Sequence, residues 1–134
     1  MKMLLYRPGE KPVETDVEAS VESLAPVLGT DQYEWMTVRM LGFCVIHDPD
    51  GKAEGKPLNR LLGMTPLYGD FLVCGIDWDD NGNTRATPIS VRLRSLLIDT
   101  IFNKIPTADD LTDQLPSYAK ELRAKQARAK AESN

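Results

Sequence analysis

Two short apolar runs, Leu41–Ile46 and Phe71–Ile76, constrain the fold of this chain more than any other feature. Each run has six residues, which suits a strand better than a helix, and neither alternates with polar residues. A strand that is apolar on both faces is typical of the covered centre of a sheet. We therefore predict that the two runs are the core strands of a small domain. The polar segment between them, rich in Gly and Pro, is where residues are available for binding.

The length of 134 residues, with 42% hydrophobic and 27% charged residues, is typical of one globular domain. No apolar run approaches the roughly 20 residues that a membrane span needs, and Met1–Tyr6 is too short for a signal-peptide core. A cytoplasmic protein without membrane association is expected. The two cysteines, Cys44 and Cys74, are expected to be a reduced pair that packs as small hydrophobic residues. A disulfide between neighbouring strands is the alternative.

Charge is distributed unevenly along the chain, whose net charge is −4. Residues 119–134 contain five basic and two acidic side chains, which leaves −7 on residues 1–118. Because an acidic body repels polyanions, direct binding of nucleic acid is not expected.

The first half of the chain predicts strands around one helix. Met3–Tyr6 and Pro12–Asp16 are strand candidates on either side of a turn. Tyr33–Met40 alternates as a strand with one solvated face would. Between them, apolar residues recur at helical spacing and a glycine follows, a pattern formed by Val17, Val21, Leu24, Leu28 and Gly29.

The second half of the chain predicts mostly helices. Leu58–Leu62 can form one helical turn closed by Gly63, and Phe71–Trp78 is the second central strand. A helix is expected to start at Thr87-Pro88, with an apolar stripe that extends to Phe102. The predicted fold class is therefore α+β: a small, mostly antiparallel sheet with one early helix packed on it, followed by C-terminal helices. Residues 1–104 would form this domain, and residues 105–134 a helical extension whose last turns are solvated or bound to a partner.

Candidate catalytic and metal-binding groups are sparse. Cys44 and His47 lie three apart on a predicted strand and would point to opposite faces, so they cannot share a zinc ion or act as a catalytic pair. Asp77, Asp79 and Asn81, followed by Gly82, resemble the first half of a calcium loop. Pro88 occupies the position of the closing glutamate, and an acidic surface turn is the favoured interpretation. No catalytic residue, resident metal or cofactor is predicted.

Asn59 and Arg60 are the most promising binding residues. An adjacent amide and guanidinium can hold a phosphate, a carboxylate or a base edge. They can equally cap a short helix and pair with a nearby acid. With the aromatic residues Trp35 and Tyr68, they form the predicted set of ligand- or partner-binding residues.

Several of these segments occur in the order of a known family. They are Pro8–Pro12, Ser23-Leu24 with Gly29, Asp48–Gly51, Lys56–Arg60, Gly69-Asp70-Phe71 and Asp77–Gly82. Over roughly residues 1–85 the chain resembles small proteins, common in phages and conjugative elements, that are defined only as a domain of unknown function (DUF3846-like). It departs from the family pattern by Pro57-Leu58 before Asn59 and by its long C-terminal tail. The resemblance implies an accessory protein of a phage or mobile element in a bacterial cytoplasm, with no established activity.

Two functions are carried forward from the sequence. The first is a non-enzymatic protein that binds and modulates a host protein, such as a component of a defence system. The second is a binder that sequesters a small anionic metabolite or nucleotide near Asn59 and Arg60. For either function, the sequence leaves open whether the chain forms a homodimer.

Overall fold

The computed structural model describes residues 1–106 of the chain. Its elements in chain order are β1 (Lys2–Tyr6), β2 (Val13–Asp16), α1 (Val21–Leu28), β3 (Glu34–Val38), β4 (Phe43–His47), β5 (Leu58–Leu62), β6 (Thr65–Tyr68), β7 (Phe71–Trp78), β8 (Thr84–Thr87) and α2 (Val91–Leu96). A 3₁₀ turn (Arg39–Leu41) joins β3 to β4, and a π-helical turn (Leu97–Ile101) extends α2. The predicted extension beyond residue 106 lies outside the described residues.

The main sheet is antiparallel throughout, with the strand order β2-β1-β7-β4-β3. The short strand β8 pairs with the second half of β7. Gly75 is opposite Phe43 on one side and opposite Thr87 on the other. Strand β8 therefore pairs with the part of β7 that lies beyond the end of β1 on the same edge. Strands β5 and β6 form a separate hairpin.

The central strands β4 and β7 are covered on both faces, as their uninterrupted apolar sequences predict. Alternate side chains contribute to two separate cores. One core, which we call the α2-side core, joins Phe43, Val45, Phe71 and Val73 to α2 and to Leu67 of the β5–β6 hairpin. The other, the α1-side core, joins Cys44, Ile46, Leu72 and Cys74 to Leu24 and Leu28 of α1. The protein is therefore a sheet between two helical layers.

The mostly antiparallel sheet is confirmed, and the predicted helices fit in part: α1 lies early in the chain, and the second short helix, α2, lies late. Helix α1 ends at Gly29, which adopts a left-handed φ of 71° and so provides the C-terminal cap expected of glycine. The helix begins at Val21, later than predicted, although Val17 is buried in the same core.

The prediction of a helix start at Thr87-Pro88 is wrong by three residues. Thr84–Thr87 is strand β8, because its backbone pairs with the part of β7 that β1 leaves uncovered. Ser90 caps α2 instead, since its hydroxyl accepts a hydrogen bond from the backbone N–H of Leu93 at 3.1 Å. No helix in the described residues is long and apolar enough to span a membrane.

A partly buried ion pair closes the loop between β4 and β5. Lys56 Nζ donates to Asp48 Oδ2 at 2.7 Å and to the carbonyl of Leu28 at 3.3 Å, which ties the loop to the end of α1. Burial acts to raise the pKa of Asp48, but hydrogen bonds from Lys56 and from the backbone N–H of Asp50 outweigh it, and the pKa is lowered. The ionised pair therefore stabilises the fold.

We predict that Asp48→Asn lowers the free energy of unfolding by about 2 kcal/mol at neutral pH, because it leaves a half-buried ammonium group without its main partner. Because the folded-state pKa of Asp48 is lowered, the contribution is present above the unfolded pKa of roughly 4 and is lost as pH falls through the folded value. Urea unfolding between neutral and acidic pH measures both effects. The control is Asp50→Asn, at an exposed neighbour, and equal losses in the two variants would contradict the prediction.

Candidate functional site

Asn59 is fully buried in strand β5, which corrects the predicted helical turn at Leu58–Leu62. Its amide Nδ2 donates to the carbonyls of Tyr6 and Gly69, each at 2.8 Å. These carbonyls belong to the end of β1 and to the turn before β7. Asn59 thus holds the β5–β6 hairpin against the main sheet, and the demand for a donor between two buried carbonyls explains the strand in place of a turn.

Arg60 is only 2% exposed, although it was predicted to be a binding residue in the polar segment between the two apolar runs. Its Nη1 donates to the carbonyl and to Oδ1 of Asn59, each at 3.0 Å, and its Nη2 donates to the carbonyl of Glu10. The guanidinium also lies over the ring of Tyr6, with Cζ 5.3 Å from the centroid. No carboxylate pairs with Arg60 among the described residues, so the charge is stabilised by carbonyl dipoles and an aromatic face.

Burial sets the electrostatics around Arg60. It lowers the pKa of Arg60, while Tyr6 acts in the opposite direction. It also raises the pKa of Tyr6 to about 12, against the lowering effects of Arg60 and Arg94. The Tyr6 hydroxyl and the Arg60 Nε are both buried without a hydrogen-bond partner among the described residues. None of the cavities described for residues 1–106 is lined by Asn59 or Arg60, and their contacts make them supports of the hairpin.

The two predicted aromatic residues lie apart from each other. Trp35 is 41% exposed on β3 and borders a groove of about 290 Å³ on the α1 side of the sheet. We call it the Trp35 groove; its lining includes Cys44, Ile76 and Ala86. Tyr68 is half-buried at the end of β6, opposite Leu58. The structure therefore does not bring the four predicted binding residues together.

The acidic loop after β7 uses its oxygens within the protein. Asp77 Oδ2 accepts a hydrogen bond from Arg85 at 2.8 Å. Asp79 Oδ1 accepts from the backbone N–H groups of Asn81 at 2.9 Å and Asn83 at 2.8 Å. The hydrogen bond from Arg85 lowers the pKa of Asp77. Hydrogen bonds, chiefly from Asn83, lower the pKa of Asp79. Among residues 1–106, no group of three or more His, Cys, Asp or Glu side chains is placed to hold a metal ion.

A larger surface cavity, not anticipated from the sequence, lies between the β3–β4 connection and the start of α2. We call it the hairpin–helix cleft, after the hairpin of β3 and β4 (not the β5–β6 hairpin) and helix α2. It has a volume of about 460 Å³ and is lined by residues that include Arg39, Met40, Leu41, Trp78 and Arg92. The 3₁₀ turn carries the side chains of Arg39, Met40 and Leu41 at the end of the sheet, and Gly42 ends the turn with a φ of 74°. One sequence signal of this cleft was available. Gly42 follows Arg39-Met40-Leu41, and a glycine there indicates a turn, which removes Met40 from the face of the predicted strand.

The hairpin–helix cleft combines positive charge with apolar surface. Arg39 Cζ lies 5.4 Å from the centroid of the Trp78 ring, a cation–π contact that keeps the guanidinium beside the cleft. Arg92 contributes a second cation to the lining. The indole N–H of Trp78 is buried without an acceptor among the described residues. An anionic or carbonyl-bearing group that carries apolar neighbours is chemically matched to this surface.

These features define a small α+β domain with a basic and apolar surface cleft and a hairpin held by buried polar side chains. The chain belongs to the family described as Domain of unknown function (DUF3846), which matches residues 1–97. The matched region includes every strand of the described part of the chain, α2 and all residues named in the cleft. No curated protein and no solved structure matches the chain.

We predict that Arg60→Ala lowers the free energy of unfolding by about 3 kcal/mol, because it opens a cavity and leaves buried carbonyls without donors. The matched change Arg85→Ala removes an arginine whose side chain is exposed and paired with Asp77, and should cost at most about 1 kcal/mol. Urea unfolding monitored by circular dichroism compares the two. A normally stable Arg60→Ala protein would show that the buried contacts of Arg60 contribute little.

Proposed function

We propose that this protein is a non-enzymatic accessory protein of a phage or mobile element, which binds a protein of its bacterial host and thereby modulates it. The hairpin–helix cleft is the contact surface, and its partner is a segment that carries carboxylates beside apolar side chains. The mobile-element setting rests on the family resemblance. The choice of surface rests on one observation, the concentration around the cleft of exposed apolar residues and of arginines that form no ion pair within residues 1–106.

Exposed apolar side chains support a docking role for this end of the molecule. Met40 is 99% exposed and Leu41 is 48% exposed, and both line the cleft. Val91, which is 82% exposed, lies between Ser90 and Arg92 of the same lining. Large apolar groups that cluster on a surface are typical of protein interaction sites, whereas isolated ones are ordinary.

The charges favour an acidic partner. No ion pair involves Arg39 or Arg92 among the described residues, in contrast to Arg94, which contacts Glu14 at 3.1 Å. The net charge of the whole chain is −4, so these arginines form a local positive surface on an acidic protein. Such a surface attracts a carboxylate-bearing segment at short range, while the body disfavours an extended polyanion such as nucleic acid.

The contacts of Asn59 and Arg60 give less support to the alternative, a binder of small anions. Their donors are directed mainly at backbone carbonyls. An anion at Arg60 would have to compete with these bonds in a buried position. The cleft, in contrast, presents its cations to solvent.

The test is a peptide-binding selection with the full chain, followed by affinity measurements. We expect a random-peptide display library to yield sequences that combine Asp or Glu with aromatic or aliphatic residues. The double variant Arg39→Glu/Arg92→Glu should bind the selected peptides at least about tenfold more weakly in calorimetry, because both rim charges become repulsive. Since both side chains are exposed, its melting temperature should stay within a few degrees of the parent value.

Lys11→Glu is the control, because it makes the charge change of one of the two substitutions at an exposed residue outside the cleft lining. It should leave peptide affinity within about twofold, since Lys11 does not line the cleft and salt screens the effect of an exposed charge on a bound peptide. Selected peptides without acidic residues, or equal affinity of the double variant, would refute the cleft as the contact surface.

A further inference from the structure

Cys44 and Cys74 are directly opposite each other in the β4–β7 pair. Both thiols are free and both belong to the α1-side core. Opposite residues of an antiparallel pair point to the same face. The sheet therefore holds two reduced sulfur atoms side by side.

The backbone hydrogen bonds fix the geometry of this pair. The N–H of Ile76 donates to the carbonyl of Gly42 at 3.1 Å, so this pair of residues is hydrogen-bonded. Hydrogen-bonded and non-hydrogen-bonded pairs alternate along the ladder, and Cys44 with Cys74 is two steps further, hence also hydrogen-bonded. The Cα atoms of such a pair are about 5.5 Å apart, which a disulfide can bridge, but the Cβ atoms must move closer than the ladder holds them. A bridge here would be strained and easily reduced.

The two thiols differ in their surroundings. Cys44 lines the Trp35 groove, which opens to solvent, whereas Cys74 is not part of that lining. The hydroxyl of Thr37, an exposed residue of the edge strand β3, donates to Cys44 Sγ at 3.9 Å. Hydrogen bonds from Cys74 and Thr37 lower the pKa of Cys44 against the effect of burial, whereas the pKa of Cys74 is raised by its contact with Cys44 and by burial. Cys44, which lines the groove and accepts a hydrogen bond from the Thr37 hydroxyl, is thus the sulfur placed to react first.

We propose that Cys44 and Cys74 form a thiol site that reacts with small hydroperoxides at the base of the Trp35 groove and closes to a cross-strand disulfide. The Cys44 thiolate attacks the O–O bond, which gives Cys44 sulfenic acid and, after protonation of the leaving oxygen, water or an alcohol. The Cys74 thiol then displaces the hydroxyl from Cys44 sulfur as water, which forms the S–S bond. The two thiols lose two electrons and the hydroperoxide gains them. Two equivalents of a cellular thiol reduce the bridge again by successive exchange, through a mixed disulfide, and leave as their own disulfide.

The experiment treats the reduced full chain with hydrogen peroxide and follows intact mass. We expect the parent protein to lose two hydrogen atoms within one chain and to recover them with dithiothreitol. Cys74→Ser should instead accumulate a sulfenic acid at Cys44, trapped by dimedone and located by peptide mass spectrometry. Cys44→Ser should react more slowly, because the thiol that it retains does not line the groove.

Two threonine variants provide a second comparison, which leaves both cysteines in place and does not depend on a cysteine variant that folds. Thr37→Val removes the hydroxyl near Cys44 and keeps the side-chain shape, so it should slow oxidation several-fold. Thr84→Val makes the same change at another residue of the groove lining, and the oxidation rate should be unchanged. Equal rates in both variants, or oxidation of the parent no faster than global unfolding measured by amide exchange, would show that the cysteines serve packing alone.

Discussion

The pairing of β7 with its neighbours is the constraint on which the rest of the structure depends. β7 contacts β4 along one edge, and β1 and then β8 along the other, so three strands are held in register by one. Because β4 and β7 are apolar on both faces, each face must be covered, and α1 and α2 provide the two covers. Burial of these two faces is the main source of stability in a domain of this size.

Polar side chains decide how the rest of the chain attaches to this sheet. Asn59 and Arg60 bind backbone carbonyls of β1, the following loop and the β6–β7 turn, and Lys56 with Asp48 closes the loop before β5. A buried donor that is directed at carbonyls stabilises one arrangement of the chain and penalises others. The segment that seemed free for binding in the sequence is therefore occupied with holding the hairpin in place.

The central strands could be predicted from sequence because an unbroken apolar run has few other solutions. Gly29 and Gly42 likewise mark chain reversals through their positive φ. The β5 strand was not predicted, because Leu58–Leu62 has no strand-like alternation of its own and is stabilised by pairing with β6 and by the hydrogen bonds of Asn59 to Tyr6 and Gly69. The candidate cleft could not be predicted either, because it joins a turn near residue 40 to a helix near residue 90 and depends on long-range contact.

The cleft and the thiol pair are physically connected. Ile76 lines both the hairpin–helix cleft and the Trp35 groove, and its backbone N–H binds Gly42 at the end of the turn that carries Arg39. A strained bridge between Cys44 and Cys74 would draw β4 and β7 together two residues from that bond. Tightly packed strands transmit such displacements instead of absorbing them. Oxidation of the two cysteines would therefore displace the turn, and this displacement would change the distance between Arg39 and Arg92 across the cleft.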